Sequence, residues 1–158
     1  MIRVAILGDI GSGKTFVSKQ FGYPIFNADE EVRKIYKKDK SCFLKIKKAF
    51  PKFILSNFLN KKELMDVILD DFENLKKISK IVHPLVRKKL NNFLKKNKKR
   101  KMVVLDIPLF IENKLNKKND ILVCIKAKKK DIQKKLKKRK NYNREIFKNL
   151  KLIQLPLS

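Results

Sequence analysis

The feature that limits this chain most lies within its first twenty-one residues. An apolar, branched run, "IRVAIL" (2–7), leads straight into "GDIGSGKT" (8–15) and then into the helical pattern "KTFVSKQF" (14–21). A buried strand, a glycine turn and a helix in immediate succession commit the chain to a βα unit. The residues Gly8–Thr15 fit G-x-x-x-x-G-K-[ST], the phosphate-binding loop. Gly11 and Gly13 let the backbone turn tightly and bring its N–H groups up to phosphate oxygens. The following helix points its N-terminal dipole at the same anion. Lys14 can reach terminal phosphates, and the Thr15 hydroxyl suits the Mg²⁺ that bridges them. Asp9 occupies a free position of the pattern and is expected to face outward. The loop predicts a nucleoside triphosphate and leaves the phosphate acceptor open.

Beyond the loop, "YPIFNAD" reads as a short second strand ending near Asn27. From Asp29 to about Lys98 apolar residues recur three or four apart, which predicts helices throughout. Breaks are expected at Pro51, near Asn57–Asn60 and at His83–Pro84, where Pro84 suits the first turn of a new helix. "MVVLDI" (102–107) reads as a buried strand ended by Pro108, and "DILVCIKA" (120–127) as another. Between them "PLFIENKLNKKN" predicts a loop and a short helix. "KKDIQKKLKKRK" predicts a basic helix and "NREIFKNLKLIQL" a last one. Strands alternating with helices, the first carrying a phosphate loop, predict a parallel sheet in a three-layer α/β/α fold. The expected organisation is a single domain: a core of residues 1–28 and 102–127, a helical insertion over 29–98, and lid and C-terminal helices over 128–158.

Charge decides little here. The 158 residues carry a formal net charge of +27, which invites a nucleic-acid reading. Only six of the 42 basic residues are arginine (Arg3, Arg33, Arg87, Arg100, Arg139 and Arg144), the side chain favoured for bidentate readout. The runs "KKNKKRK" (95–101) and "KKLKKRK" (134–140) are therefore read as solvated helix faces, with no specific nucleic-acid partner. No run of eighteen apolar residues exists and the N-terminus enters a strand directly, so no membrane span or leader is expected and the setting is cytoplasmic. Cys42 and Cys124 match no metal spacing and are read as reduced, partly buried thiols.

Several segments, in order, resemble the dephospho-coenzyme A kinase family of the P-loop kinases. "GDIGSGKT" is similar to its glycine-rich loop, and "NADEEVRKIY" to its Asp-Ala-Asp motif followed by arginine. "LNKKELMDVIL" resembles its Leu-Asp-Arg-x-x-Leu stretch, "IVHPLVRKKL" its His-Pro helix, and "VLDIPLFIE" its strand-end Pro-Leu-Leu-x-Glu. "QKKLKKR" resembles the lid and "IQLPL" the glutamine-containing helix beyond it. Three positions depart: Asn27 stands for the first Asp, Lys61 for an arginine, and Lys135 for the first lid arginine. The chain ends at Ser158, before the further strand and last helix of the family, so the resemblance implies a fold lacking that portion.

The resemblance implies Mg²⁺·ATP-dependent phosphorylation of the 3′-hydroxyl of dephospho-CoA, with ATP and dephospho-CoA as partners. It makes Gly8, Gly11, Ser12, Gly13, Lys14 and Thr15 the ATP-binding loop. Asp29 becomes the catalytic base toward the ribose hydroxyl, although Asp also suits a helix N-cap, and both roles can coexist. Arg33 lies one helical turn on and could pair with Asp29 or with an acceptor phosphate. His83, the only histidine, suits either a cap before Pro84 or an acceptor contact, and Arg87 could reach the same ligand. Asp106 ends an apolar strand, where it would be exposed and, with Thr15, hold the metal. Pro108, Leu109 and Glu112 would shape the acceptor pocket. Arg139 would close over the β- and γ-phosphates as a catalytic lid residue, with Lys135 adding charge, unless both belong to a solvated basic helix. Another nucleoside monophosphate-type kinase, or a basic nucleic-acid-binding protein with a residual nucleotide site, remain the alternatives.

Overall fold

Among the described residues, the strands with buried apolar runs lie in the middle of a four-stranded parallel sheet ordered β2-β3-β1-β4. The computed structural model describes residues 1–138 together with Asn143, Glu145 and Lys148. In β1 (Ile2–Gly8), Val4, Ala5 and Ile6 are buried, and so are Val103, Val104 and Leu105 in β3 (Met102–Asp106). Residues buried on both faces of a strand are what a parallel sheet requires. Fully burying each Val or Ile side chain stabilises by roughly 1.5–3 kcal/mol. β2 (Ile25–Asn27) pairs with β3 so that Asn27 stands opposite Asp106. β4 (Ile121–Ile125) pairs with β1 on the other side, with Gly8 opposite Ile125. Ile121, Leu122 and Cys124 are exposed and Val123 and Ile125 half-buried, as an edge strand allows. Cys124 is exposed there, so the expectation of a partly buried thiol fails for it, whereas Cys42 is buried and both are free.

Arg3 is buried within β1, its Nη2 donating to Asp120 Oδ2 at 3.0 Å and to the Leu115 carbonyl at 3.1 Å. The same carboxylate oxygen accepts from the Lys117 N–H at 2.8 Å. This ion pair ties the loop before β4 to the central strand.

The chain divides into two compact units, residues 1–28 with 93 onward, and residues 29–92. The first holds the sheet, α1 (Lys14–Gln20) and α6 (Lys129–Lys137). The second is helical and includes most of α2 (Ala28–Lys38), α3 (Lys40–Ala49), α4 (Lys61–Asp70) and most of α5 (Glu73–Lys96). Its core gathers Ile35, Cys42, Ile46, Leu64, Val67, Ile78 and Val82, apolar helix positions of the 3.6-residue period, with Phe50, Ile54 and Leu59 from the segment between α3 and α4. Asp39 caps α3 by accepting from Cys42 N at 2.8 Å, and Asn60 caps α4 by accepting from Glu63 N at 2.9 Å. The Ser56 hydroxyl and nearby backbone N–H groups bond Glu63 and hold its carboxyl below the ordinary value.

Three sequence expectations need correction. No break occurs at His83–Pro84: α5 runs through Pro84 for 24 residues. Pro84 and Lys80 are both exposed, so the carbonyl that loses its i+4 donor can turn to water, while Ile78, Val82 and Leu90 hold the buried face continuous. No short helix follows β3: residues 108–114 form successive turns, with Leu109 (φ 53°) and Lys114 (φ 52°) in the left-handed region. The run 95–101 is solvated, but most of it lies in the turn after α5 rather than on a helix face. The expected final helix lies outside the described residues apart from Asn143, Glu145 and Lys148. Among the described residues, no helix is long and apolar enough to cross a membrane.

Candidate active site

The glycine loop takes its shape from close packing. A Cβ on Gly8 would lie 2.6 Å from Ser12 Oγ and 2.8 Å from the Ile125 carbonyl oxygen, so only glycine fits where β1 enters the loop. Gly13 (φ 101°, ψ 21°) occupies the left-handed region at the start of α1, a conformation costly for any side chain. Ser12 N–H donates to the Asp9 carbonyl at 3.0 Å, which closes the turn while Asp9 itself faces solvent. The buried Ser12 hydroxyl has no hydrogen-bond partner among the described residues. A buried orphan of this kind is costly unless a ligand satisfies it.

Lys14 bends back over the loop, its Nζ donating to the Gly8 carbonyl at 2.8 Å and the Asp9 carbonyl at 3.0 Å. Thr15 Oγ1 donates to Asp106 Oδ2 at 2.6 Å, and Asn27 Nδ2 donates to the same oxygen at 2.7 Å. Asp106 is therefore not exposed, as the sequence suggested, but only 3% accessible. The register explains it: the end of β3 lies beside the end of β2, and Thr15 reaches across from α1. A hydroxyl and a carboxylate meeting at one point are hard oxygen donors, the kind Mg²⁺ prefers. Among the described residues no group of three or more His, Cys, Asp and Glu side chains could hold a metal ion.

α6 lies against this loop. A Cβ on Gly11 would lie 3.2–3.3 Å from its buried Ile132 and Leu136 side chains, and Lys135 Nζ comes within 3.7 Å of where a Cβ on Gly13 would stand. A cavity of about 550 Å³ opens beside it, lined by Lys126, Ala127, Lys128, Asp131, Lys134, Lys135 and Lys138. Arg139 lies outside the described residues. Sequence reasoning missed Lys126 and Lys128, because lysines after a strand carry no motif.

The residues expected to contact the acceptor fall in both units. Pro108, Leu109 and Glu112 sit in the turns after β3. The left-handed backbone of Leu109 is held by Asn113, whose N–H and Nδ2 donate to the Leu109 carbonyl at 3.0 and 2.9 Å. Nothing in the sequence signals that strained position. In the helical unit, Asp29 and Arg33 are exposed on the first two turns of α2, and Arg33 Nε donates to the Asp29 backbone carbonyl at 3.3 Å. Asp29 is inside the first turn rather than at the N-cap, because α2 already starts at Ala28. With Glu30 and Glu31 it complements the positive end of the helix dipole. His83 and Arg87 are one turn apart within α5, so His83 caps no helix. Partial burial, followed by the nearby Arg87 charge, lowers the His83 pKa from its ordinary 6.5.

A parallel sheet whose first strand feeds a glycine loop, with Thr15 bonded to a strand-end aspartate, defines the P-loop phosphotransferase class. The sequence model of the family described as "CoaE: Dephospho-CoA kinase" matches residues 2–157. The dephospho-CoA kinase of a Wolbachia endosymbiont of Brugia malayi is 33% identical over 159 residues, covering 98% of this chain and 81% of the relative. That of Bartonella henselae is 36% identical over 129 residues, covering 78% of this chain and 66% of its own length. The crystal structure of TT1252 from Thermus thermophilus superposes with a TM-score of 0.78 at 26% identity, covering 98% of this chain and 81% of that one. The dephospho-CoA kinase from Campylobacter jejuni shares the fold, with a TM-score of 0.58 at 22% identity over 96% of this chain and 78% of its own. The chain belongs to the dephospho-CoA kinase family of ATP-dependent kinases, and it has the α/β fold its sequence predicts. It spans about two thirds (66%) to four fifths (81%) of these two curated relatives.

Proposed function

We propose that this chain transfers the γ-phosphate of ATP to the 3′-hydroxyl of dephospho-CoA in the cytoplasm, forming CoA and ADP. The observation that carries the reading is the convergence of Thr15 on the buried Asp106 beside the Lys14-bearing loop, in a chain of this family. Backbone N–H groups from Gly8 to Thr15, with the Ser12 hydroxyl, cradle the β- and γ-phosphates. Lys14 exchanges its loop carbonyls for phosphate oxygens, a trade of neutral for charged acceptors that favours the bound state. Thr15 and Asp106 hold Mg²⁺, which when bound offsets the negative charge of the phosphates. Lys135 and Arg139 stabilise charge on the transferring group and exclude water that would otherwise accept the phosphate.

On the acceptor side Asp29 takes the proton from the 3′-hydroxyl as its oxygen bonds to the γ-phosphorus. The bond from that phosphorus to the β–γ bridging oxygen breaks, and ADP leaves with the electron pair. Arg33, His83 and Arg87 from the helical unit, with Pro108, Leu109 and Glu112 after β3, bind dephospho-CoA. The lysines of α6 serve the nucleotide, with no specific nucleic-acid partner. A coupled ADP-release assay tests the reading. Turnover should appear with dephospho-CoA and be absent with adenosine and nucleoside monophosphates; the reverse preference would make this a nucleotide kinase instead.

A further inference from the structure

We propose that Asn27 is a positioning residue for phosphoryl transfer, holding the Asp106 carboxylate in place through its side-chain amide. The inference rests on the phosphotransfer reading above. Three observations carry it. Asn27 ends β2 directly opposite Asp106 in the parallel register, so the two side chains are neighbours by construction of the sheet. Its Nδ2 donates to Asp106 Oδ2 at 2.7 Å, and Thr15 Oγ1 donates to the same oxygen at 2.6 Å. Asp106 is 3% accessible, so water cannot substitute for a lost donor as it would at the surface.

With both donors on Oδ2, rotation of the carboxylate is blocked and the second oxygen keeps its lone pairs for a ligand. A neutral amide achieves this without adding charge beside the anion. Asn27 is also two peptide links from Asp29, so their Cα atoms are at most about 7 Å apart. Groups that orient a metal ligand in this way are worth about 10–100-fold in metal affinity or activity.

The test replaces Asn27 with Leu, which keeps the branched shape and removes the donor. Mn²⁺ affinity of the ADP-bound protein is measured by electron paramagnetic resonance, alongside steady-state kinetics with dephospho-CoA. Asn27→Leu should bind Mn²⁺ about 10-fold more weakly and turn over about 10-fold more slowly, with KM for ATP changed by less than about twofold. Wild-type Mn²⁺ affinity together with wild-type turnover overturns the assignment. So does a loss confined to melting temperature and KM, which marks a purely structural role. Should the Leu variant not fold, Asn27→Ser, too short to span the gap, is read by the same criteria. If the wild-type chain makes no ADP with dephospho-CoA, the functional reading fails, while the Mn²⁺ measurement still judges Asn27.

Discussion

In the sheet unit, Lys14, Thr15, Asn27 and Asp106 are locked to the loop or to each other by hydrogen bonds of 2.6–3.0 Å. In the helical unit, Asp29, Arg33, His83 and Arg87 all stand on exposed helix surfaces. The contrast reflects what each kind of ligand demands. Phosphate is small, symmetric and charged, so under the proposed function backbone N–H groups and the Lys14 ammonium suffice to hold it, and they can be prearranged. A long, flexible acceptor needs side chains spread over a larger surface, and these stay solvated until it arrives.

The comparison breaks first at Lys14. Lys14→Ala should lower turnover about 10³-fold while the melting temperature stays within a few degrees; a variant retaining a tenth of wild-type activity would remove Lys14 from the phosphate end. Next comes Arg3, whose loss strands the buried Asp120. Arg3→Ala should cost about 3 kcal/mol in urea denaturation, and an unchanged midpoint would mean the pair contributes nothing to the sheet. Asp29→Asn sharpens the contrast from the helical side. Turnover should fall about 100-fold with ATP affinity preserved, and near-normal turnover in the purified variant would end its role as base. Asn60→Ala removes the α4 cap and should cost about 1 kcal/mol with kinetics unaltered.

The smallest effect belongs to His83. Its pKa is lowered in the folded state from an ordinary 6.5, so the unfolded chain binds the extra proton more readily. Its contribution to stability is complete above pH 6.5 and shrinks as the pH falls through the lowered value. Melting temperature should drop more between pH 7.5 and 5 in wild type than in His83→Gln, and equal drops would show that His83 carries none of the pH dependence.

Much of the fold was legible in advance, and the reason is local. The loop Gly8–Thr15 was readable because its function needs a run of consecutive residues with particular backbone freedom. β1 and β3 were readable because central parallel strands carry consecutive apolar residues, here Val4–Leu7 and Met102–Leu105. Pro84 misled because its effect on helices is local, whereas α5 is held by buried residues on either side of it. Leu109 gave no warning because its left-handed backbone depends on Asn113 folding back onto its carbonyl.

By itself, then, the sequence determined the order of the strands, the glycine loop and the basic character of α6, all properties of neighbouring residues. Only the tertiary structure decided that Asp106 is buried rather than exposed, and that Asn27 and Thr15 share one of its oxygens. Those partners are 79 and 91 positions away along the chain. Contacts at that separation are set by strand register and helix placement, which no local pattern encodes.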